Sequence, residues 1–418
     1  MTATATATSV MDVLQERGFV NQVTDAARLR QVTETGPITL YCGFDPTSDS
    51  LHIGHLVQIM MLAHFQRAGH RPIALVGGGT TMVGDPTGRA TGRAILGYDQ
   101  IAANAAKIRE QLAHYLDFAD DRAIMEDNAH WLPQLKYIEF LRDIGRHFSV
   151  NQMLTMDTYK TRLETGLSFL EFNYLLLQSY DFLHLYRTYG CTLQVGGGDQ
   201  WSNCLGGMDL IRREDGGEAF VLTTPLITDA NGQKMGKSTG NALSLNPQHM
   251  SPYDYYQFWV NVEDAKVGEF LALFTFLPMD EVRQLASLEG AEIRRAKEVL
   301  AHEATTLTHG AEAADASRDA ARALFGGGAG GGSADADAPT TTVPAADFDG
   351  GLTLADLFVR AGLVAGRGAA RTLAAQGGAT VDGARAENMD MPYTAADIPA
   401  GGLLLRAGKK RYMRVVVG

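Results

Sequence analysis

The chain has 418 residues, of which 45% are hydrophobic and 20% are charged, and its formal net charge is −12. This length predicts two to four domains, and the composition is typical of a globular protein with a large core. The acidic balance argues against a protein that coats nucleic acid with its whole surface. Three cysteines without C-x-x-C spacing argue against a disulfide framework or a zinc site, and they favour a reducing cytoplasm.

Segments for membrane targeting are not predicted. The N-terminal stretch "MTATATATSVMDVLQERGF" lacks both a basic region and a continuous apolar run, so a signal peptide is not expected. No run of the sequence approaches 18 apolar residues, so we expect no membrane span.

The first predicted elements form a βαβ unit. Residues 38–44, "ITLYCGF", are a short apolar run that predicts a strand. Residues 53–69 have apolar side chains at a helical period, and Gly69 closes that helix. "PIALVGGG", from Pro72, predicts a second strand. A strand, a helix and a strand within 40 residues indicate a parallel sheet and an α/β fold.

Further along the chain the sequence alternates between helical and strand patterns. Residues 100–190 are predicted to be largely helical, and "CTLQVGGGDQW", from Cys191, predicts a later strand that ends in a glycine turn. After Pro252 three helical patterns follow, and in the last of them Ile293, Ala296, Leu300 and Leu307 are expected on one face. We therefore predict a sheet domain over residues 1–250 and an α-helical domain over 251–325.

A composition change marks the start of a C-terminal unit. Residues 326–351 begin "GGGAGGG" and contain four aspartates and two prolines but no basic residue, which predicts a flexible linker. Residues 352–418 carry nine Lys and Arg against five Asp and Glu, whereas the rest of the chain has a net charge of −16. A small basic unit on an acidic body indicates a localised site for an anionic partner.

The segment "DPTSDSLHIGHL" places two histidines and a glycine at the start of the first predicted helix. Ligands of open parallel sheets lie beyond the carboxyl ends of strands, where a helix N-terminus offers free N–H groups to phosphate. His52 and His55 can donate hydrogen bonds there, and Gly54 lets a flat ring approach the helix. A polar loop followed by a helix cap is the alternative interpretation of the segment.

A second candidate segment is "GQKMGKSTGN". It sets Lys234 and Lys237 among three glycines, a pattern that predicts a mobile loop whose two ammonium groups can bind phosphate. By itself this pattern also fits an ordinary surface loop. Together with "HIGH", about 180 residues earlier, it resembles the paired signatures of class I aminoacyl-tRNA synthetases.

Further motifs narrow the resemblance. "YCGFDPTSDSLHIGH", "RPIALVGGGT", "GDPTGR", "FNYLLLQSYDF", "LQVGGGDQWSN" and "KMGKS" together are similar to bacterial tyrosyl-tRNA synthetases, from about residue 10 to 418. The family implies a Rossmann-like parallel-sheet catalytic domain, an α-helical anticodon-side domain and a small α+β C-terminal RNA-binding domain. The glycine- and alanine-rich linker departs from the family pattern and leaves the placement of the last domain open.

The resemblance also implies roles for individual residues. Tyr41 and Asp181 would bind the phenol hydroxyl of tyrosine, and Gln200 would contact its carboxyl group. Tyr174, Gln178 and Asp85 would hold the ammonium group, with Asn128 in support. The residues implied for ATP are Cys42, Gly43, Asp45, Thr47, His52, Gly54, His55, Arg89, Arg93, Gly197, Asp199, Lys234 and Lys237.

Each of these residues also has an ordinary structural interpretation. Tyr41 could be a core residue of its strand, and Tyr174 and Asp181 share a helix face simply because they are seven residues apart. Asp85 could serve only as a turn former, and the two arginines could be solvated. The functional interpretation depends on the whole set occurring in the matching order.

The implied reaction is tyrosine–tRNA ligation. Tyrosine would attack the α-phosphorus of ATP, with Mg²⁺ accompanying the nucleotide and no tightly bound cofactor or metal, and tRNA(Tyr) would accept the tyrosyl group. A homodimer is implied, with "TGLSFLEF" around Phe169 in the interface. The alternatives are a related nucleotidyl-transfer enzyme without RNA, which the basic C-terminal unit disfavours, and a synthetase-like RNA-binding protein, which the intact motifs disfavour.

Overall fold

The computed structural model describes residues 9–87, 96–230, 232, 235, 243–325, 339–348, 351–399, 401–408 and 411–418. The chain forms two compact units, 1–318 and 319–418. Among the described residues, no helix has the length and apolar character needed to cross a membrane.

A six-stranded sheet organises the first unit. Its strands are β1 (Gln22–Val23), β2 (Thr39–Phe44), β3 (Arg71–Val76), β4 (Ile124–Asp127), β5 (Cys191–Gly197) and β6 (Phe220–Thr224). Their order is β1-β6-β5-β2-β3-β4, and every pair is parallel except β1 with β6. The chain leaves β2 towards β3 on one side and later returns to place β5 on its other side. This reversal creates a crevice at the carboxyl ends of β2 and β5, where ligands of such sheets bind.

Helices cover the sheet and carry the connections between its strands. In the sheet region they are α1 (Val10–Arg17), α2 (Ala26–Thr35), α3 (Ile53–Arg67), α4 (Tyr98–Leu112), α5 (Tyr137–Asp143), α6 (Val150–Met153), α7 (Asp157–Thr165), α8 (Phe169–Phe172), α9 (Tyr174–Tyr189) and α10 (Trp201–Asp215). The predicted βαβ unit is thus β2-α3-β3, and the prediction is confirmed. Ten residues of α3 are buried, because the helix lies over the sheet and beneath neighbouring helices.

Five helices follow the sheet, at α11 (Pro252–Val260), α12 (Val267–Phe274), α13 (Met279–Ala286), α14 (Ile293–His309) and α15 (Ala311–Phe325). The three predicted helices correspond to α11, α12 and α14. In α14 the buried face runs through Ala296, Leu300 and Ala304, while Leu307 lies at its half-buried margin.

The helices from α11 to α14 belong to the same compact unit as the sheet. Buried Arg17 of α1 donates hydrogen bonds to the carbonyl oxygens of Ala272 and Thr275, both at 2.9 Å. The ring of His64 lies between Phe19 and Phe276, with centroid distances of 5.3 and 5.0 Å. Burial lowers the pKa of His64 to about 3, so the imidazole is neutral and packs as an aromatic ring. The far end of α3 is thereby fixed to the helical region.

The second unit is a small α+β fold. A five-stranded sheet of order β10-β9-β12-β13-β7 contains β7 (Thr340–Val343), β9 (Ala379–Val381), β10 (Ala384–Arg385), β12 (Leu403–Ala407) and β13 (Arg411–Val417). A two-stranded pair joins β8 (Leu352–Thr353) to β11 (Pro392–Tyr393). The helices are α16 (Ala345–Phe348), α17 (Leu354–Arg360) and α18 (Arg367–Ala375). The predicted fold class, with its parallel sheet, helical region and α+β C-terminal unit, is confirmed.

The C-terminal part of the predicted linker is folded. Strand β7 pairs in parallel with β13, and Val343 and Phe348 are 2% and 5% exposed within the hydrophobic core of the second unit. These residues were assigned to the linker because prolines and aspartates surround them, but their apolar side chains have strand partners far along the chain. The glycine run itself, residues 326–338, lies outside the described residues.

Candidate active site

A cavity of about 440 Å³ opens at the carboxyl ends of β2, β3 and β5. The N-terminal turns of α3 and α9 also border it. Sixteen of the residues implied by the resemblance line this one cavity: Tyr41, Cys42, Gly43, Asp45, Thr47, His52, Gly54, His55, Asp85, Asn128, Tyr174, Gln178, Asp181, Gly197, Asp199 and Gln200. Residues that are up to 159 positions apart in the sequence therefore share one space.

Asp181 is the most enclosed carboxylate of the cavity, at 2% exposure. Its two oxygens accept hydrogen bonds from Asn128 Nδ2 at 2.8 Å and from Trp131 Nε1 at 2.7 Å. Burial raises the pKa of Asp181 to about 8, although both donors act to lower it. The carboxyl group is thus held in place by its partners, and it can accept one more hydrogen bond from a ligand hydroxyl.

Three buried polar atoms of the cavity have no hydrogen-bond partner among the described residues. They are the hydroxyl of Tyr41 and the Oε1 atoms of Gln178 and Gln194. Tyr41 on β2 is paired in register with Gln194 on β5, so the two side chains stand side by side on adjacent strands. Unpaired buried polar groups are costly, so their concentration in one cavity indicates a polar ligand.

The turn after β3 approaches the site so closely that it requires glycine. A Cβ on Gly77 would lie 2.0 Å from Asp45 Oδ1, and one on Gly78 would lie 2.4 Å from Asp127 Oδ1. The N–H of Gly79 donates to Asn128 Oδ1 at 2.7 Å. This bond fixes the amide of Asn128 with its nitrogen towards Asp181.

The side chain of Asn128 has three partners inside the unit. The resemblance implied that it helps hold the ammonium group, and in the structure its side chain bonds to Asp181, to the Gly79 N–H and to Thr80 Oγ1. Its position follows from β4, which pairs with β3 and ends at Asp127, so that Asn128 is the first residue after the strand.

The residues implied for tyrosine and for ATP meet at Asp45. Its carboxylate accepts hydrogen bonds from Tyr174 at 2.8 Å and from Thr80 Oγ1 at 2.7 Å. A second carboxylate, Asp85, accepts from Gln200 Nε2 at 2.9 Å and from the N–H of Thr87 at 2.9 Å. The cavity thus has two fixed carboxylates near its middle, a suitable environment for a ligand ammonium group.

The two histidines of "HIGH" cap helix α3 with their side chains. His52 Nδ1 accepts from the N–H of Gly54 at 3.1 Å, and His55 Nδ1 accepts from the N–H of His52 at 3.2 Å. The rings are stacked, with centroids 3.9 Å apart. Because each Nδ1 accepts a hydrogen bond, each neutral ring carries its proton on Nε2. A Cβ on Gly54 would lie 2.9 Å from His52 Cε1, so only glycine leaves room for this ring.

Two described residues, one within the lysine motif and one after it, are held by backbone hydrogen bonds. Met235 lines the cavity, and its N–H donates to the carbonyl of Ile227 at 2.8 Å. Downstream, the N–H of Leu245 donates to the carbonyl of Leu51 at 3.0 Å, directly before His52. Four residues implied for ATP lie outside the described residues: Arg89, Arg93, Lys234 and Lys237.

The three cysteines lie inside the sheet unit and are buried. Burial raises the pKa of the Cys42 thiol to about 12, and it raises the pKa of Cys191 and Cys204 as well. Cys42 and Cys204 line the cavity wall near Gly197, where a Cβ would lie 2.9 Å from Asp199 Oδ1. These thiols act as small apolar groups there and do not supply a nucleophile.

Sequence reasoning missed several residues that shape the site. Trp131 and Gln194 were not selected, and neither was Thr80, although all three bond to site residues or line the cavity. The signal for Gln194 was available, because an amide inside an otherwise apolar strand needs a partner. Nothing in the sequence pattern around Trp131 links it to Asp181, 50 residues later.

The sequence matches the model of one protein family over residues 33–326, and that family is described as tRNA synthetases class I (W and Y). The match covers most of the sheet region and the helices that follow. The chain belongs to this family of class I tRNA synthetases.

Relatives over nearly the full length are tyrosine–tRNA ligases. The enzyme from Clostridium beijerinckii is 48% identical over 98% of this chain and 99% of its own, and that from Clostridium botulinum strain Hall is 50% identical over the same shares. Among solved structures, a C-terminally truncated mitochondrial tyrosyl-tRNA synthetase from Aspergillus nidulans is 33% identical, with a TM-score of 0.69, and covers 77% of this chain and 95% of its own. The resemblance to bacterial tyrosyl-tRNA synthetases that the motifs predicted is confirmed.

Proposed function

We propose that this protein activates L-tyrosine with ATP to give tyrosyl-adenylate and pyrophosphate, and then transfers the tyrosyl group to the 3′ end of tRNA(Tyr). The observation that carries the proposal is the enclosed pair of Asp181 and the partnerless Tyr41 hydroxyl at the bottom of the cavity. Relatives that match almost the whole chain carry the name tyrosine–tRNA ligase, which supports the same reaction.

Tyrosine lies with its ring towards the sheet. Its phenol hydroxyl donates to Asp181 and accepts from Tyr41, and Asn128 and Trp131 hold the aspartate in place. Its ammonium group lies near Asp85, Tyr174 and Gln178, where carboxylate, phenol and amide oxygens can accept its protons. Its carboxylate faces Gln200, whose amide nitrogen is the donor on that side of the cavity.

ATP binds across the N-terminus of α3. The Nε2–H groups of His52 and His55 point to the phosphates, at the positive end of the helix dipole. Thr47 and Asp45 belong to the phosphate side, the resemblance assigns the basic residues Arg89, Arg93, Lys234 and Lys237 to the same phosphates, and Mg²⁺ accompanies the nucleotide. Cys42, Gly43, Gly54, Gly197 and Asp199 form the wall next to the ribose and the base.

The reaction needs no protein nucleophile. The tyrosine carboxylate attacks the α-phosphorus, its new bond to phosphorus forms as the bond to pyrophosphate breaks, and the negative charge moves to the leaving group. The chain contributes by holding both substrates in line and by stabilising charge with preorganised donors. Because the donors of α3 are fixed by the capping bonds, little reorganisation is required during the step.

The basic C-terminal unit binds tRNA, and two copies of the chain form the working enzyme in the cytoplasm. The second part of this proposal draws on the exposed side chains of Phe169 and Leu170, which are 69% and 42% exposed on α8. Large apolar side chains left exposed next to each other are typical of an interface with a partner. Sedimentation of the purified protein tests the dimer.

Tyrosine-dependent exchange of pyrophosphate into ATP tests activation, and charging of tRNA(Tyr) tests transfer. Truncation before Gly326 should leave exchange nearly intact, because every proposed tyrosine and ATP residue precedes it. Charging should fall sharply in the truncated protein, and RNA binding by the full chain should weaken with added salt, since phosphate contacts release counterions. Exchange with an amino acid other than tyrosine, or an equal loss of both half-reactions on truncation, would contradict the proposal.

A further inference from the structure

A row of hydrogen bonds runs from the cavity wall at Gln200 into the buried interior behind it. Asn203 on α10 is 0% exposed, and its Nδ2 donates to Gln200 Oε1 at 3.1 Å and to Thr87 Oγ1 at 3.2 Å. Its Oδ1 accepts from the hydroxyl of Thr158 on α7 at 3.3 Å. On the other side of the same row, Gln200 Nε2 donates to Asp85. The row therefore runs from Thr158 through Asn203 and Gln200 to Asp85.

The carboxylate at one end of the row gives it a direction. An ionised Asp85 can only accept, so Gln200 must turn its amide nitrogen towards it. The amide oxygen of Gln200 then faces Asn203, which must in turn present its own nitrogen. This leaves Asn203 Oδ1 facing Thr158, whose hydroxyl supplies the donor. Each amide then has one orientation in which all bonds are made; Asp85 fixes that orientation, and the Thr158 hydroxyl, which can donate or accept, completes the row.

We propose that Asn203 is a positioning residue that sets the orientation of the Gln200 amide for the carboxylate of tyrosine. This inference rests on the proposed function, in which Gln200 contacts that carboxylate. Gln200 Nε2 has two hydrogens, and Asp85 takes one. The second is directed to the substrate only while the amide nitrogen faces the cavity side.

A reversed Gln200 amide would weaken tyrosine binding in two ways. It would put Gln200 Oε1 against the Asp85 carboxylate, and it would present an oxygen to a negatively charged substrate group. Asn203 opposes this because its Nδ2 is a donor that bonds to Gln200 Oε1 and would have no acceptor on Gln200 if the amide were reversed. The hydroxyl of Thr87, two residues after Asp85, accepts the second hydrogen of Asn203 Nδ2. Because the N–H of Thr87 also bonds to Asp85, this contact ties Asn203 to the turn that holds Asp85.

Asn203→Asp tests the proposal with almost no change in side-chain volume. The new carboxylate lacks the donor, so two acceptors would face each other at Gln200. Tyrosine-dependent pyrophosphate exchange should lose about 10- to 100-fold in kcat/KM for tyrosine, as expected for one unmatched buried hydrogen bond. The KM for ATP should not change. An unchanged kcat/KM for tyrosine, or an equal loss for both substrates, would overturn the proposal.

The Gln200→Ala background separates positioning from general damage. If Asn203 acts through Gln200, adding Asn203→Asp to Gln200→Ala should cause little further loss, because the two residues form one unit. A loss of the same size in both backgrounds would mean that Asn203 acts by another route, and the proposal would fail.

Thr158 provides a second route in case Asn203→Asp does not fold. Thr158→Val should raise the KM for tyrosine, while Thr158→Ser keeps the hydroxyl and should restore it. The matched control is Thr308→Val, which removes an equally buried hydroxyl that bonds to Tyr255 and Ala304 in the helical region. This control should lower the midpoint of unfolding without changing the KM for tyrosine. If Thr158→Val lowers the midpoint of unfolding without changing the KM for tyrosine, as Thr308→Val should, the row does not position Gln200. A different result, no tyrosine-dependent exchange by the unmutated protein, would refute the proposed function itself.

Discussion

At the proposed phenol end of the cavity, the polar groups are enclosed by the sheet and held by partners from distant parts of the chain. At the proposed phosphate end, the donors stand on the first turn of a single helix and are held by neighbours two or three residues away. Asp181 is fixed by Asn128 and Trp131, whereas His52 and His55 are fixed by the backbone of α3 and by each other.

This difference separates two physical tasks. Selection of a substrate hydroxyl requires buried groups that are costly to leave unpaired, which a deep pocket between β2 and α9 provides. Stabilisation of moving phosphate charge requires donors that face an open entrance, which a helix N-terminus provides. Substitutions at the two ends should therefore affect different steps of the same reaction.

The largest effect is expected for Asp181→Asn. The amide keeps the shape but turns one acceptor into a donor that faces Asn128, Trp131 or the phenol hydroxyl. Tyrosine activation should fall on the order of 100-fold or more, since an acceptor in a buried, fully bonded group is replaced by a donor and the bonds around it lose their match. Single-turnover adenylate formation at several tyrosine concentrations measures it, and weaker tyrosine binding with intact ATP binding is the expected pattern. A variant that binds tyrosine normally would remove Asp181 from the phenol site.

At the phosphate end, His52→Asn separates capping from catalysis. Asparagine is a good helix cap, so the variant should keep the bond to the Gly54 N–H and the stability of α3. It lacks the Nε2 donor, and adenylate formation should slow on the order of 10²-fold with tyrosine affinity little changed. His52→Ala is the control, because it should lose the same rate and also destabilise the fold by about 1 kcal/mol. Loss of tyrosine binding with a normal rate at saturation would contradict the assignment.

The dependence of stability on pH sharpens the comparison at Asp181. Burial raises the pKa of this carboxyl from its ordinary 3.8 to about 8, so the folded chain holds a proton that the unfolded chain releases. Its contribution to stability is fully present below the ordinary value and is lost as the pH rises towards 8. As the pH rises through this window, the free energy of unfolding of Asp181→Asn should therefore increase relative to that of the parent protein, by up to about 1.4 kcal/mol per pH unit. Denaturant unfolding at pH 5 and pH 8 measures it, and parallel curves would show that Asp181 is already ionised in the empty pocket.

The smallest effect is expected for Tyr41→Phe. The hydroxyl has no partner among the described residues, so its removal should leave the empty protein equally stable or slightly more stable. Asp181 remains as an acceptor, so the preference for tyrosine over phenylalanine should fall only about tenfold, the value of one hydrogen bond. The ratio of kcat/KM for the two amino acids gives the result. If the ratio stays the same and the stability drops, Tyr41 is a core residue.

The two ends of the site also differ in how far the sequence predicts them. The phosphate end is local: "HIGH" and the apolar period after it predict both the helix and the donors at its start, and α3 begins at Ile53 as expected. The phenol end depends on which strands become neighbours. The resemblance implied a role for Asp181, but its contacts with Trp131 and Asn128 arise because β4 pairs with β3 and brings the residues after it to α9. The buried row through Asn203 joins three segments and has no period or motif of its own.

The burial of all three cysteines makes the natural sequence a ready background for site-specific labelling. A maleimide reacts with an accessible thiolate, and Cys42, Cys191 and Cys204 offer neither exposure nor an appreciable thiolate population at neutral pH. One cysteine introduced at an exposed position of the C-terminal unit, such as Glu387→Cys, would then be the single reactive site. A fluorophore attached there would test the proposed binding of RNA by that unit without removal of a native thiol from the wall of the cavity.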